Sequence, residues 1–357
     1  MSKIIAISTL SGKYKLKKEK VKQFFNQHLS DPTAKRKLNY LFNHSDIEYK
    51  NSEIPDFDVE LNTKLLYHDK YISPTTSERL KLYDELAIHM AIKVSKDAMN
   101  KANLKASDIS HIITISCTGM SAPGLECQLI EQLQLNINTQ KFTVNFMGCY
   151  AAFHGFRLAD LIIKSNKEAK VLMVNVELCS LHFRDDNSDD NVLSSYLFSD
   201  GASACIFSHQ ITNSKHLEML DYQSTLIPGG KHDMGWYIGN NGFEMVLNSE
   251  VPIHIKNNIK TSFNQLLKNN RIETIDFYAI HPGGPAIIQS FANALELKNE
   301  DLNISHQILK NEGNMSSATI LFVLEKMMSE ASHNGYCYSV AFGPGLSLEQ
   351  CLFKLNA

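Results

Sequence analysis

Three residue types at three turns could together do acyl chemistry. Cys149 follows the apolar, β-prone run Lys141-Phe142-Thr143-Val144-Asn145-Phe146-Met147-Gly148 and precedes a helical stripe of Phe153, Phe156, Ala159, Ile162 and Ile163. A thiol on such a strand-to-helix turn faces the first free N–H groups of the helix, and these donors favour the thiolate. The thiolate is the nucleophile of covalent acyl-enzyme chemistry. The plain alternative is a small buried cysteine packed between strand and helix. His281 ends an apolar run in Ile280-His281-Pro282-Gly283-Gly284-Pro285, where Pro-Gly-Gly keeps the chain extended and bulk away from the imidazole. It reads equally as a structural histidine. Asn314, in Gly313-Asn314-Met315-Ser316-Ser317-Ala318, lies at a glycine-marked turn before a helix, where an asparagine also serves as an N-cap.

As a set, Cys, His and Asn have two physical uses. In a cysteine protease the asparagine orients the histidine that activates the thiol. In a Claisen-condensing enzyme, histidine and asparagine both aim N–H donors at a thioester oxygen. The protease reading fits the chain order but lacks a C-G-S-C-W-like sequence around the cysteine, and its fold does not match the pattern below.

The elements that must position these residues alternate apolar strands with amphipathic helices, the signature of an α/β protein. Residues 83–101 form a helix with Leu86, Ala87, Met90, Ala91, Val94 and Ala98 on one stripe. Strand 111–116, helix 124–134, strand 142–146, helix 150–164 and strand 170–178 follow. The second half repeats the scheme with helix 251–268, strand 275–280, helix 284–296, helix 316–330, and a closing hairpin of 336–342 and 346–355 about Gly343-Pro344-Gly345. Ala106-Ser107-Asp108-Ile109 before the strand at His111 rhymes with Glu273-Thr274-Ile275-Asp276 before the strand at Phe277, which suggests an internal duplication with halves 1–212 and 213–357. The stretch 183–195 reads as a polar surface loop. Its carboxylates lack the spacing and glycine of a calcium loop.

Composition sets the outer limits. The 357 residues are 43% hydrophobic and 20% charged with net charge −3, which describes an ordinary globular chain with a large core. The near-neutral balance gives no reason to expect nucleic acid as a partner. Seven scattered cysteines without a C-x-x-C pair point to a reducing, cytoplasmic setting and to no metal. The opening Met1-Ser2-Lys3-Ile4-Ile5-Ala6-Ile7-Ser8 reads as a first strand, and the lack of a long apolar run argues against a membrane span.

The chain resembles the type III polyketide synthases, the chalcone-synthase-like enzymes, over nearly its whole length. The segments that carry this are Cys117-Thr118-Gly119 with Pro123-Gly124, Gly148-Cys149, Glu177-Leu178-Cys179-Ser180-Leu181-His182-Phe183, Phe198-Ser199-Asp200-Gly201-Ala202, Met234-Gly235-Trp236, His281-Pro282-Gly283-Gly284-Pro285, Gly313-Asn314-Met315-Ser316-Ser317-Ala318 and Phe342-Gly343-Pro344-Gly345-Leu346, in the family's order. The spacing from His281 to Asn314 (314 − 281 = 33) is also the family's. Met234-Gly235-Trp236 followed by Gly242-Phe243-Glu244-Met245-Val246-Leu247 is more similar to the bacterial branch.

The resemblance implies a thiolase-type αβαβα sandwich of two related halves, working as a homodimer. Cys149 would carry the acyl group, with His281 and Asn314 binding the thioester oxygen. An acyl-CoA starter and malonyl-CoA would be the substrates, with no other cofactor and no metal, and the product a cyclised pyrone or aromatic polyketide. Cys117, Thr118, Cys179, His182 and Met245 fall on cavity positions, where His182 would meet a polyketide carbonyl. The family's gating phenylalanine aligns with Leu217. Ala122 replaces the methionine that plant members insert into the partner subunit's cavity. Lys50, with Arg36 or Lys37, maps onto the basic grip for CoA. The nearest rival is a ketoacyl-synthase III-like enzyme making one condensation for fatty-acid synthesis. A non-catalytic subunit that keeps the fold is a rival of another class, opposed by the intact Cys149, His281 and Asn314.

Overall fold

The computed structural model describes residues 1–68, 72–210 and 215–357. Its first half runs β1 (Lys3–Ser11), β2 (Tyr14–Lys17), α1 (Lys18–His28), α2 (Pro32–Asn43), β3 (Tyr49–Ser52), α3 (Thr76–Lys101), β4 (His111–Ser116), α4 (Leu125–Gln132), β5 (Gln140–Asn145), α5 (Ala151–Ser165), β6 (Lys170–Leu178), α6 (Asp189–Leu197) and β7 (Asp200–Ser208). Its second half runs β8 (His216–Leu226), β9 (Met234–Gly239), β10 (Gly242–Leu247), α7 (Val251–Asn270), β11 (Phe277–Ile280), α8 (Pro285–Leu295), α9 (Asn303–Glu312), α10 (Thr319–Glu330), β12 (Gly335–Gly343) and β13 (Ser347–Asn356). The expected boundary between residues 212 and 213 lies outside the described residues.

The halves repeat one topology. In the first, β1 pairs antiparallel with β7, β7 antiparallel with β6, and β6 parallel with β4. In the second, β8, β13, β12 and β11 follow with the same directions. The half-sheets meet where β1 and β8 pair through Lys3–Glu218 and Ile4–Leu217. Helix α3 covers the outer face of the first half-sheet, and α7 with α8 covers the second. Between the half-sheets lie α5 and α10, which gives the αβαβα order.

That middle layer explains the burial pattern. Both half-sheets are covered on both faces, so β7 is buried along its whole length and β6 along all but its first residue, as strands without a wet face must be. On α5, Phe156 is fully buried and meets Phe207 of one half-sheet and Phe353 of the other at centroid distances of 5.9 and 6.0 Å. β5 differs: it ends the sheet, and its first four residues are exposed.

Two elements depart from the sequence reading for local reasons. Helix α3 starts at Thr76 rather than near 83 because Thr75 and Glu78 form a reciprocal capping box. The expected polar loop 183–195 contains α6, whose N-cap Ser188 accepts from the Asn191 N–H and whose first turn carries Asp189 and Asp190, where carboxylates suit the helix dipole. No helix of the described residues is long and apolar enough to cross a membrane, and no group of three or more metal-binding side chains occurs among them.

Phe156→Ala removes the ring that both half-sheets pack against. It is expected to cost about 3–5 kcal/mol, read as a fall in the urea or guanidinium midpoint.

Candidate active site

The sheet edges bring four turns together. Cys117 follows β4, Cys149 follows β5, His281 follows β11, and Asn314 follows α9. Because the topology is repeated, Cys117 and His281 occupy equivalent places at the ends of β4 and β11. The Cys149 turn demands glycine before it. Gly148 has φ +77°, and a Cβ there would lie 2.4 Å from Pro344 Cδ. A short 3₁₀ turn, Gly148–Tyr150, then runs into α5.

Asn314 is fixed by its surroundings. The Ser316 N–H (2.9 Å) and the Thr319 hydroxyl (3.3 Å) both donate to Oδ1, which settles the orientation of the carboxamide. Nδ2 donates to the Gly283 carbonyl at 3.3 Å and lies 3.9 Å from Cys149 Sγ. The asparagine therefore offers an N–H to the sulfur and is not a helix N-cap. Its backbone is pinned as well: Asn314 N–H donates to Leu197 O (3.0 Å) and Ser199 N–H to Asn314 O (2.8 Å).

His281 is completely buried, and neither ring nitrogen has a hydrogen-bond partner among the described residues. Its ring stands edge-on to Phe342 at 6.1 Å, and Phe342 lines the cavity that Cys149 and Asn314 face. An orphaned imidazole in a protein interior is costly; the ring is not itself in the cavity lining, whereas Gly283 and Gly284 of its turn are. Burial lowers the imidazole to about 3. Burial likewise pushes the Cys149 thiol up to about 12, with hydrogen bonds from Ser316 and Asn314 opposing it. The sulfur is reachable from the cavity but walled off from bulk water. Desolvation outweighs the helix-terminus effect that favoured a resting thiolate and leaves both the Cys149 thiol and the His281 imidazole neutral.

The cavity has a volume of about 490 Å³. Of the residues expected to line it, Cys117, Thr118, Cys179, His182, Met245 and Lys50 do so. Thr118 donates to Glu177 Oε2 (2.9 Å), which also accepts from the Cys117 N–H (3.0 Å). His182 cannot hydrogen-bond a substrate carbonyl as expected. Its Nε2 lies 2.7 Å from the Thr118 carbonyl and its Nδ1 accepts from the Phe243 N–H at 3.2 Å, so both nitrogens are committed. Its ring stacks on Phe243 at 4.1 Å.

One placement is corrected. Leu217 is fully buried in β8, between Ile4 of β1 and Leu355 of β13, and does not line the cavity. Among the aromatic rings in the wall is Phe198, whose backbone forms the β-bridge to Asn314. Phe198 opens the family segment Phe198-Ser199-Asp200-Gly201-Ala202, which was the signal available in the sequence. Arg36 and Lys37, expected to grip CoA, lie on α2 outside the cavity lining, and Lys37 is ion-paired at the surface with Asp189 at 2.5 Å. Lys50 does line it, but its ammonium is turned to the Ser195 carbonyl (3.1 Å) and the Phe198 carbonyl, and burial lowers it to about 8. The sequence reading also missed Trp236, Phe243, Ser316 and Phe342 in the wall.

The comparisons agree with this geometry. The family profile described as "Chalcone and stilbene synthases, N-terminal domain" matches residues 1–210, and its C-terminal counterpart matches residues 218–355. "Polyketide synthase 37" of Dictyostelium discoideum is 34% identical over 78% of this chain, which spans only 10% of that protein's length. "Alpha-pyrone synthesis polyketide synthase-like Pks18" of Mycobacterium tuberculosis is 31% identical over 79% of this chain and 74% of its own length. The crystal structure of "PKS-I from the brown algae Ectocarpus siliculosus" superposes with a TM-score of 0.93 over 99% of this chain and 98% of that one, at 26% identity. The chain belongs to the chalcone and stilbene synthase family, the type III polyketide synthases. Near-equal identity to an amoebal and a mycobacterial relative does not single out a bacterial branch.

His281 is neutral in the folded protein down to about pH 3, whereas in the unfolded chain it protonates near 6.5. Its folded value is depressed, so its contribution to stability is lost as pH falls below 6.5, by about 2 kcal/mol between pH 7 and 5. Urea unfolding at the two pH values should show a smaller difference for His281→Gln than for the unsubstituted protein.

Proposed function

We propose that the protein is an acyltransferase that condenses an acyl-CoA starter with malonyl-CoA units on Cys149 and releases a cyclised polyketide. The observation that carries this reading is a cavity-facing thiol 3.9 Å from a fixed carboxamide nitrogen that also donates to Gly283 O, two residues after His281, whose imidazole has no partner among the described residues.

The neutral resting pair fits the first step. As the Cys149 sulfur attacks the starter thioester, its proton passes to His281, and the tetrahedral intermediate places its oxyanion on the Asn314 and His281 donors. Collapse expels the CoA thiolate, which takes the proton from His281. Malonyl-CoA then loses carbon dioxide, and the electron pair of the broken bond becomes an enolate held by the same two donors. The enolate carbon attacks the Cys149 thioester, and collapse releases the sulfur and leaves the lengthened chain on CoA, ready to return. Each oxyanion donor is worth about 3–4 kcal/mol in acyl-transfer enzymes. No step calls on a cofactor beyond the CoA thioesters. Phe198 is the ring suited to gate the passage between the CoA side and the cavity. We place the enzyme in the cytoplasm, consistent with seven free thiols.

The homodimer is supported by β5. It is an edge strand whose exposed Phe142 sits with exposed Met120 and Ile137 on the same half, and bare apolar sheet edges are normally covered by a partner.

Incubation with acyl-CoA starters and malonyl-CoA should give pyrone or aromatic products by mass spectrometry, and Cys149→Ala should give neither product nor an acylated protein mass. Product from Cys149→Ala would end the assignment. A single β-ketoacyl product formed only with acyl carrier protein would instead favour the ketoacyl-synthase III-like reading. In sedimentation, the 40.2 kDa chain should run as a dimer and Phe142→Lys as a monomer.

A further inference from the structure

The first turn of α3 touches two segments of the cavity wall at once. Arg79 on this turn is fully buried. Its Nη1 donates to Phe183 O (2.7 Å), to the Tyr67 hydroxyl (2.9 Å) and to the Leu181 carbonyl, while Nε donates to Pro74 O (3.0 Å). Tyr67 passes the connection on, donating to Ser180 O at 2.8 Å. On its other side, Arg79 backs onto β10: Gly242 has φ +110°, and a Cβ there would sit 3.0 Å from Arg79 Nε. One turn earlier on the same helix, Thr76 N–H donates to Asn240 O (2.9 Å) and Gly242 N–H to the Thr76 hydroxyl (2.8 Å). The guanidinium thus fills the space between the 180–183 segment and the β9–β10 turn.

Those two segments carry His182 and Phe243, which stack at 4.1 Å with Trp236 edge-on to both. The three rings form one wall of the cavity. The named partners of Arg79 are carbonyl or hydroxyl oxygens, and burying a cation against neutral dipoles alone is expensive when a hydrocarbon could fill the same space. What a hydrocarbon cannot supply is a rigid planar fork that holds several carbonyls at fixed spacing.

We infer that Arg79 is a positioning residue that fixes how far the His182–Phe243–Trp236 wall stands from Cys149, and so sets the chain length at which condensation stops. The inference rests on the polyketide synthase reading. Removal of the guanidinium leaves room behind the rings, the wall retreats, and longer chains fit.

Arg79→Lys, Arg79→Met and Tyr67→Phe are compared with the unsubstituted enzyme at one starter acyl-CoA and excess malonyl-CoA. The ratio of longer to shorter products is expected to rise by about threefold or more in the Arg79 variants, since one methylene in a pocket is worth at least that. Tyr67→Phe should shift it in the same direction by less. The ratio is independent of how much enzyme folds, so a purely structural role would lower total activity and thermal stability and leave it unchanged. Trp236 is the only tryptophan, and its emission should change in the Arg79 variants whether or not any substrate turns over. If Arg79→Met does not fold, Arg79→Lys and Tyr67→Phe carry the test. An unaltered product ratio with unaltered Trp236 emission in these variants would overturn the inference. Absence of polyketide from the unsubstituted enzyme with every starter would count against the reading of the site itself, and the emission would still decide whether Arg79 holds the wall.

Discussion

The site depends on one backbone pairing between the two halves of the chain. Asn314 exchanges hydrogen bonds with Leu197 and Ser199, tying the second half's turn to the strand end that carries Phe198. Around this pairing, β3 acts as a strap. Asn51 reaches the Glu312 backbone and side chain and, through its N–H, the Ser199 hydroxyl, while Lys50 holds the carbonyls at the end of α6. Asp200, at the start of β7, accepts from the Ser180 and Glu53 N–H groups. These polar contacts are buried or partly buried, where each unmet partner costs more than at a surface. The cavity wall, the Phe198 ring and the Asn314 carboxamide thus share one framework.

Much of this was legible in the sequence. Apolar runs and period-3.6 stripes placed β4, β6, α5 and α7 closely, because buried strands and amphipathic helices write their environment into local order. The three proposed site residues were legible for a different reason: turns at strand ends need glycine and proline, and these marked Cys149, His281 and Asn314. The failures share a cause. Leu217 was misplaced because the segment before β8 holds no glycine or proline landmark to fix its register. His182 was read as a free donor because nothing local reveals that Thr118 and the Phe243 backbone occupy both nitrogens. The start of α3 was missed although Thr75 and Glu78 spell a capping box.

The electrostatic expectation also changed between sequence and structure. A cysteine at a helix start suggests a thiolate, but that argument treats the turn as wet. Here the middle layer and the second half enclose the sulfur, and burial favours neutral forms of both the thiol and the imidazole. In the reaction we propose, a thiol held neutral gives up its proton only as an arriving thioester oxygen takes up negative charge.

The repeated topology places Cys117 where its counterpart half places His281, and Cys149 where the counterpart places Asn314. Had two identical copies of this unit come together as separate chains, every side chain chosen for one tip would have been imposed on its mate, and a thiol at one tip could not have faced a carboxamide at the other. Fusion of the copies into a single polypeptide frees the tips to evolve independently. Asymmetric division of labour within a symmetric scaffold is therefore open to this architecture and closed to its unfused equivalent.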